Sequence, residues 1–264
     1  MTSKKLNGGA LYTVPLSDIE YIGYFYGNKG KETVKKAYTR IKKLRGRAPD
    51  FLMNAELFDF NTRCAVSDVV SQGKVHKLTE NYGSAFPENK TAVFCYKNNV
   101  KAADYVGAYP VLLRDGKATT AVPAGISGSR GRTALALDGE KIYIALVPDG
   151  KNDATLTELK REFISAGARD AINLDGGGST QFYAPMGNCF SSRPVRGFIG
   201  IWVRGADLRI VRVRTNLNIR KGPGMLYGKI GKLYNGDSVT VLEERGGWSR
   251  ISAGWVFSSY LVKI

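Results

Sequence analysis

The residues best equipped for chemistry stand together in Ala171-Ile172-Asn173-Leu174-Asp175-Gly176-Gly177-Gly178-Ser179-Thr180. A short apolar run reads as a buried strand that delivers Asn173 and Asp175 to three glycines and two hydroxyl residues. Glycines leave backbone N–H groups uncovered and let a ligand approach closely, at an entropic cost that folding must offset. The same letters also read as a hairpin turn, because Asp-Gly precedes the alternating Gln181-Phe182-Tyr183-Ala184. Local sequence leaves both readings open. No Gly-Lys-Ser/Thr follows the glycines, which argues against a Walker-type phosphate loop.

Other polar residues are expected to join this stretch from separate elements. In Asp50-Phe51-Leu52-Met53-Asn54-Ala55-Glu56-Leu57-Phe58, alternation puts Asn54 and Glu56 on one face of an apolar strand, where they must be satisfied locally or point into a polar site. Arg132-Thr133-Ala134-Leu135-Ala136-Leu137 opens a strand paired through Asp138-Gly139 with residues 141–147, whose end carries Asp149. Thr155-Leu156-Thr157-Glu158 is a capping box for a helix with apolar face Leu156, Leu159, Phe163 and Ile164, closed by Gly167. Strand, helix and the glycine-ended strand together form a βαβ-like unit. A second helix over 31–47 has apolar positions Val34, Ala37, Tyr38, Ile41 and Leu44 and a strongly basic outer surface, with Ala48-Pro49 as its stop. Its charge reads either as a solvated face or as a grip for a polyanion.

The length suits one large domain and a small one. The formal net charge is +16; +9 falls in residues 1–207 and +7 in the much shorter 208–264. Such a surface attracts polyanions, whether nucleic acid, anionic lipid or wall phosphopolymer. No nucleic-acid motif is recognisable, which places nucleic acid last. Three dispersed cysteines, Cys64, Cys95 and Cys189, make neither a disulfide framework nor a zinc pattern, and the lone His76 reads as a surface strand residue. The N-terminus shows no signal-peptide core and no stretch is long enough to span a membrane, so the chain is expected to be made in a cytoplasm. The polar, Gly-containing Arg204-Gly205-Ala206-Asp207 marks a boundary, giving domains 1–206 and 207–264. The first is expected to be α+β, a mixed, largely antiparallel curved sheet with two main helices; the second, a small all-β barrel.

The tail resembles a bacterial SH3-like domain through Leu217-Asn218-Ile219-Arg220-Lys221-Gly222-Pro223-Gly224, Gly231-Lys232-Leu233-Tyr234-Asn235-Gly236-Asp237, Gly247-Trp248-Ser249-Arg250-Ile251 and Gly254-Trp255-Val256-Phe257. That resemblance implies attachment to a bacterial wall. The first domain resembles the phosphodiester glycosidase family through residues 171–180, supported by Asn54-Ala55, Arg132-Thr133-Ala134, Asp149-Gly150 and Arg193-Pro194-Val195. It departs at Glu56-Leu57-Phe58, and nothing in the first 45 residues matches. The resemblance implies hydrolysis of a sugar joined through its anomeric carbon to phosphate. Such a reaction needs a carboxylate at the oxocarbenium-like centre and donors for the departing phosphate. Asp175 is the first choice for the carboxylate, with Glu56 and Asp149 as further acid or base candidates. Arg132 and Arg193 suit bidentate phosphate recognition, with the amides of Gly176, Gly177 and Gly178 beside them. Asn54, Thr133, Asn173, Ser179 and Thr180 would position sugar hydroxyls or phosphate oxygens. No cofactor is required, although Asp175, Asp149 and Asn173 could hold Ca²⁺ or Mg²⁺. The expected partner is teichoic acid or peptidoglycan, and a phage lysin is one setting that needs no signal peptide. The competing reading is a wall-binding protein that does not cleave.

Overall fold

The computed structural model describes residues 1–27, 31–59, 69–77, 83–86, 93–95, 104–120, 124–150, 154–185, 187–204, 207–251 and 253–263. Cys64 lies outside them, as do residues 65–68, 78–82, 87–92 and 96–103 of the stretch 65–111, whose Asn, Gly and Pro turns lead one to expect several strands. Two compact units form: Met1–Phe182 with Cys189–Val203, and Tyr183–Asn188 with Arg204–Ile264.

In the first unit the elements that position the site are β1 Thr2–Lys5, β2 Ala10–Pro15, β3 Ile19–Tyr26, α1 Val34–Arg45, β4 Phe51–Asn54, β5 Val111–Arg114, β6 Lys117–Ala118, β7 Arg132–Leu137, β8 Lys141–Val147, α2 Leu156–Ala166, β9 Asp170–Asn173 and β10 Gly197–Val203. One antiparallel sheet runs β1-β2-β8-β7-β9-β5-β6; in a second, β10 lies between β4 and β3. Residues 69–107 contribute a third antiparallel sheet of five short strands. The fold is therefore α+β.

Every residue of β7 is buried, which marks a strand covered on both faces. Ala134 and Ala136 face α2 together with Tyr143, Ala145 and Val147, and their small side chains let Leu156, Leu159 and Phe163 pack closely. Each of those three helix residues contributes about 1.5–3 kcal/mol by burial. Toward the other layer, Tyr12 of β2 meets Phe51 of β4 edge-on at 4.9 Å. Since β8 and β9 are both antiparallel to β7, they are parallel to each other, and α2 is the crossover between them.

Both helices start near their expected positions. Thr155 and Glu158 form the reciprocal capping box, and Gly167 ends α2 at φ +90°. Ile164, expected on the apolar face, is exposed; Lys160 is buried instead because its ammonium donates to the Thr119 carbonyl at 2.6 Å. Helix α1 ends at Gly46, whose φ of +74° closes it before Ala48-Pro49 is reached, and Leu44 is left exposed. Part of its basic surface is structural: Arg40 pairs with Glu32 at 2.7 Å, and the Arg45 guanidinium lies 3.7 Å over the Tyr21 ring. His76 is exposed on its strand and stacks on Tyr26 at 4.0 Å.

The second unit, instead of one continuous ladder, has a three-stranded sheet centred on Asp207–Val211 and a five-stranded sheet whose edges are Lys229–Leu233 and Glu243–Arg245. Val211, Leu217, Ile219, Val239, Val241, Ile251, Val256 and Leu261 form its core. No helix among the described residues is long and apolar enough to cross a membrane.

Candidate active site

The site lies where the chain leaving β9 meets the chain leaving β4. The Asp175 N–H donates to the Ala55 carbonyl at 2.9 Å, joining the two strand ends. Asn54 Nδ2 and Thr133 Oγ1 donate to the Asp175 carbonyl at 2.7 and 2.6 Å, and Asn54 Oδ1 accepts the Gln181 N–H at 3.1 Å. Both side chains are wholly buried. They were expected to touch sugar or phosphate, but buried polar groups need partners and these find theirs in the backbone. Their role is to fix the peptide that carries Asp175.

The Asp175 side chain keeps one bond of its own, from the Gly176 N–H to Oδ1 at 2.9 Å. Burial raises its pKa to about 6, against the Ser179 hydroxyl, the Gly176 N–H and the Arg193 charge, which pull it back. Glu56 stands just beyond β4 and is 2% exposed. Among the described residues neither of its carboxyl oxygens finds a hydrogen-bond partner of ordinary geometry. Burial lifts its pKa to about 7; Asp175 adds to the rise, while the neighbouring Tyr24 hydroxyl and Arg196 oppose it. Near neutral pH the site therefore pairs a mostly ionised Asp175 with a Glu56 that retains a large share of its proton.

The two arginines separate in role. Arg132 is 1% exposed, and its guanidinium donates to the carbonyls of Ala154, Ile126 and Gly128 at 2.9, 2.8 and 2.5 Å. The expected phosphate grip does not fit this residue, since its donors tie the 126–128 loop and Ala154 to the start of β7. Arg193 lies over the glycine turn and donates to Ser179 Oγ at 3.3 Å. A Cβ on Gly178 would sit 2.8 Å from Arg193 Nη2, and one on Gly176 would sit 2.6 Å from the Gly131 carbonyl. Close packing thus accounts for these two glycines, and φ of +58° for Gly177. The amides of Gly176 and Gly177 are already engaged, with Asp175 Oδ1 and the Gly131 carbonyl, so they do not present the expected row of free donors.

Asp149 is at the end of β8 as expected, but its Oδ1 accepts the Gly131 N–H at 2.8 Å, which makes it a brace for the loop before β7. Asn173 donates to the carbonyls of Tyr109 and Leu174, leaving its buried Oδ1 without a partner among the described residues. Thr180 Oγ1 is likewise buried and unbonded, beside Gly131. Among the described residues no three His, Cys, Asp or Glu side chains converge on a common point suited to a metal.

Sequence reasoning missed four participants. Gln181, fully buried, accepts the Val34 N–H at 2.6 Å and donates to the Arg193 carbonyl at 2.9 Å, linking α1 to the arginine; its position directly after Thr180 was the available signal. Arg130 runs alongside Gly177, and its buried Nε has no partner among the described residues. Tyr24 and Arg196 reach Glu56 from β3 and from just before β10. Nothing in their local sequence announces it.

The site thus sets a buried Glu56 and a partly buried Asp175 beside a glycine turn overlaid by Arg193, within an α+β frame. Residues 51–202 match the phosphodiester glycosidase family, to which the chain belongs, and residues 215–262 match the bacterial SH3 domain. Among solved structures, the zebrafish N-acetylglucosamine-1-phosphodiester α-N-acetylglucosaminidase catalytic domain, auto-inhibited by its pro-peptide, is similar at TM-score 0.59 and 19% identity, over 74% of this chain and 77% of that one. A hypothetical protein from Synechocystis is similar at TM-score 0.58 and 14% identity, over 76% of this chain and 61% of that one. No curated protein sequence matches the chain.

Proposed function

We propose that the first unit hydrolyses a glycosyl phosphodiester in a bacterial wall polymer such as teichoic acid, and that the SH3 domain binds the protein to that wall. The observation that carries the reading is the pairing of a partly buried Asp175, under the charge of Arg193, with a buried Glu56 of higher proton affinity that feels the Asp175 charge. Water replaces phosphate at the anomeric carbon: the carbon–oxygen bond breaks, and the bridging oxygen leaves with the phosphate as a monoester. Asp175 stabilises the developing positive centre, as nucleophile or as base toward water. Arg193 neutralises the departing phosphate, and Glu56 holds a proton near the reacting groups. The carboxamide and hydroxyl that clamp the Asp175 peptide keep the carboxylate aimed without reorganisation.

The test is hydrolysis of purified wall polymer in ¹⁸O-water. Carbon–oxygen cleavage leaves the released phosphate monoester unlabelled; label in the phosphate would place the attack at phosphorus and overturn the mechanism. Asp175→Asn should lower turnover by about 100-fold or more. Wall binding without release of sugar or phosphate monoester by the unaltered protein would favour the non-cleaving reading. Turnover should persist in chelator, because Arg193 supplies the cation; loss restored by Ca²⁺ or Mg²⁺ would instead assign Asp175 to a metal.

A further inference from the structure

The second unit contains a groove of about 840 Å³. That size is within the ~300–1,000 Å³ range of ligand sites. Arg212, Arg214, Trp248, Phe257 and Tyr260 line it, with carboxamides from Asn216 and Asn218, and no carboxylate contributes to the lining. The four acidic residues described in this unit are committed elsewhere. Asp207 and Glu244 hold Arg209, Glu243 accepts from Arg250 at 2.8 Å, and Asp237 accepts the Tyr234 N–H at 2.7 Å. Arg212 and Arg214 are exposed and have no ion-pair partner among the described residues.

The aromatic wall is built rather than incidental. Trp248, mostly buried, meets Phe257 edge-on at 5.4 Å, and Phe257 meets Tyr260 at 6.1 Å, while the latter two rings remain 41% and 45% exposed. Arg220, whose guanidinium lies 6.0 Å over the Trp248 ring, is held in place by donating from Nη1 to the carbonyls of Met225 and Tyr227 at 2.8 Å each. A rigid row of rings beside two unneutralised guanidiniums combines stacking faces for sugar rings with bidentate donors for phosphate.

We propose that this groove binds a segment of an alternating sugar–phosphate chain, gripped at phosphate by Arg212 and Arg214 and stacked on Phe257 and Tyr260. The inference deepens the proposed function and rests on its wall-polymer reading: the tail would hold the same phosphodiester polymer that the first unit cleaves, rather than a wall peptide.

The test uses the full-length protein and two probes, purified glycosylated poly(glycerol phosphate) teichoic acid and peptidoglycan stripped of teichoic acid. Arg212→Ala/Arg214→Ala should weaken teichoic acid binding at least tenfold and flatten its salt dependence; Tyr260→Ala should weaken binding severalfold with less change in salt dependence. Arg245→Ala, which removes an exposed charge outside the groove, should bind as the unaltered protein does. Binding by the double variant equal to that of the unaltered protein overturns the proposal. So does equal affinity for stripped peptidoglycan, which would mean a peptide or neutral glycan occupant. An equal loss with Arg245→Ala would reduce the effect to diffuse charge and also overturn it. Circular dichroism checks that each variant is folded. Binding is read without turnover, so a protein that binds through the groove but hydrolyses nothing would refute the enzymatic reading and leave this one standing.

Discussion

Replacing Glu56 by Gln should make the protein more stable and less active, and only at neutral and alkaline pH should the stability gain be large. The ordinary glutamate value of 4.5 is raised to about 7 in the folded state, chiefly by burial, so between these values the native protein keeps a proton that the unfolded chain has released. The contribution of Glu56 is therefore fully present below the unfolded value and is lost as pH rises through the folded one. At about 1.4 kcal/mol per pKa unit, the loss approaches ~3 kcal/mol by about pH 8. Gln cannot ionise and avoids that loss, while its amide meets the same poorly bonded surroundings. For a unit of this size ~3 kcal/mol corresponds to a gain of about 6 °C or more in melting temperature. Calorimetric scans from about pH 4 to 8 check it, with the advantage of Glu56→Gln expected to grow across that interval. An equal advantage at both ends, or none, would refute the argument that an ionised carboxyl is the destabilising group. Turnover should fall by about 100-fold or more if Glu56 supplies or takes a proton.

Three further substitutions separate framework from chemistry. Arg132→Lys should lower the melting temperature by several degrees, about 2–4 °C per kcal/mol, because a lysine cannot reproduce the fork to three carbonyls; Arg193→Lys should melt normally and show weaker substrate binding in steady-state kinetics. Gly178→Ala should also fold and lose activity, because the new Cβ would sit 2.8 Å from Arg193 Nη2 and force the guanidinium off the turn; normal activity would show that its position is unimportant. Thr155→Ala should cost about 1 kcal/mol by removing the α2 cap, with kinetics unchanged, as read by thermal melting and steady-state assay.

Elements with a strong period or a chemical punctuation mark were legible in the sequence. The β7–β8 hairpin, the capping box at Thr155 and the apolar delivery of Asp175 to the glycines all stand where patterning put them. What failed was the assignment of side-chain partners. Asn54, Thr133 and Arg132 look like ligand-binding residues because they are polar in apolar segments, yet each is bonded to main-chain carbonyls brought close only by the fold. Sequence indicates that a buried polar group needs a partner; it does not indicate whether the partner is a substrate or a distant peptide. The boundary of α1 was misplaced for a local reason, since a left-handed Gly46 ends the helix before the more conspicuous proline.

A raised pKa by itself does not mark the site. Asp50 and Asp104 are also raised to about 6 by burial, and neither lies in the candidate site. Their hydrogen bonds distinguish them. Asp104 accepts from the Gln72 amide nitrogen and side chain, and Asp50 Oδ2 takes the Val203 N–H at 2.8 Å and the Arg47 guanidinium at 3.4 Å. Those carboxyls fasten strands and loops, and the bonds they make offset part of their desolvation. Glu56 has no comparable bond among the described residues, so its burial is a local loss of stability with no structural return at that position. Asp175 shows the intermediate case, one oxygen held by Gly176 and its main chain clamped by Asn54 and Thr133. A buried carboxyl without a well-formed hydrogen bond, near enough to the positioned Asp175 to feel its charge, is costly to stability, and it sets a group that holds its proton beside an anion. Function explains that combination better than packing does.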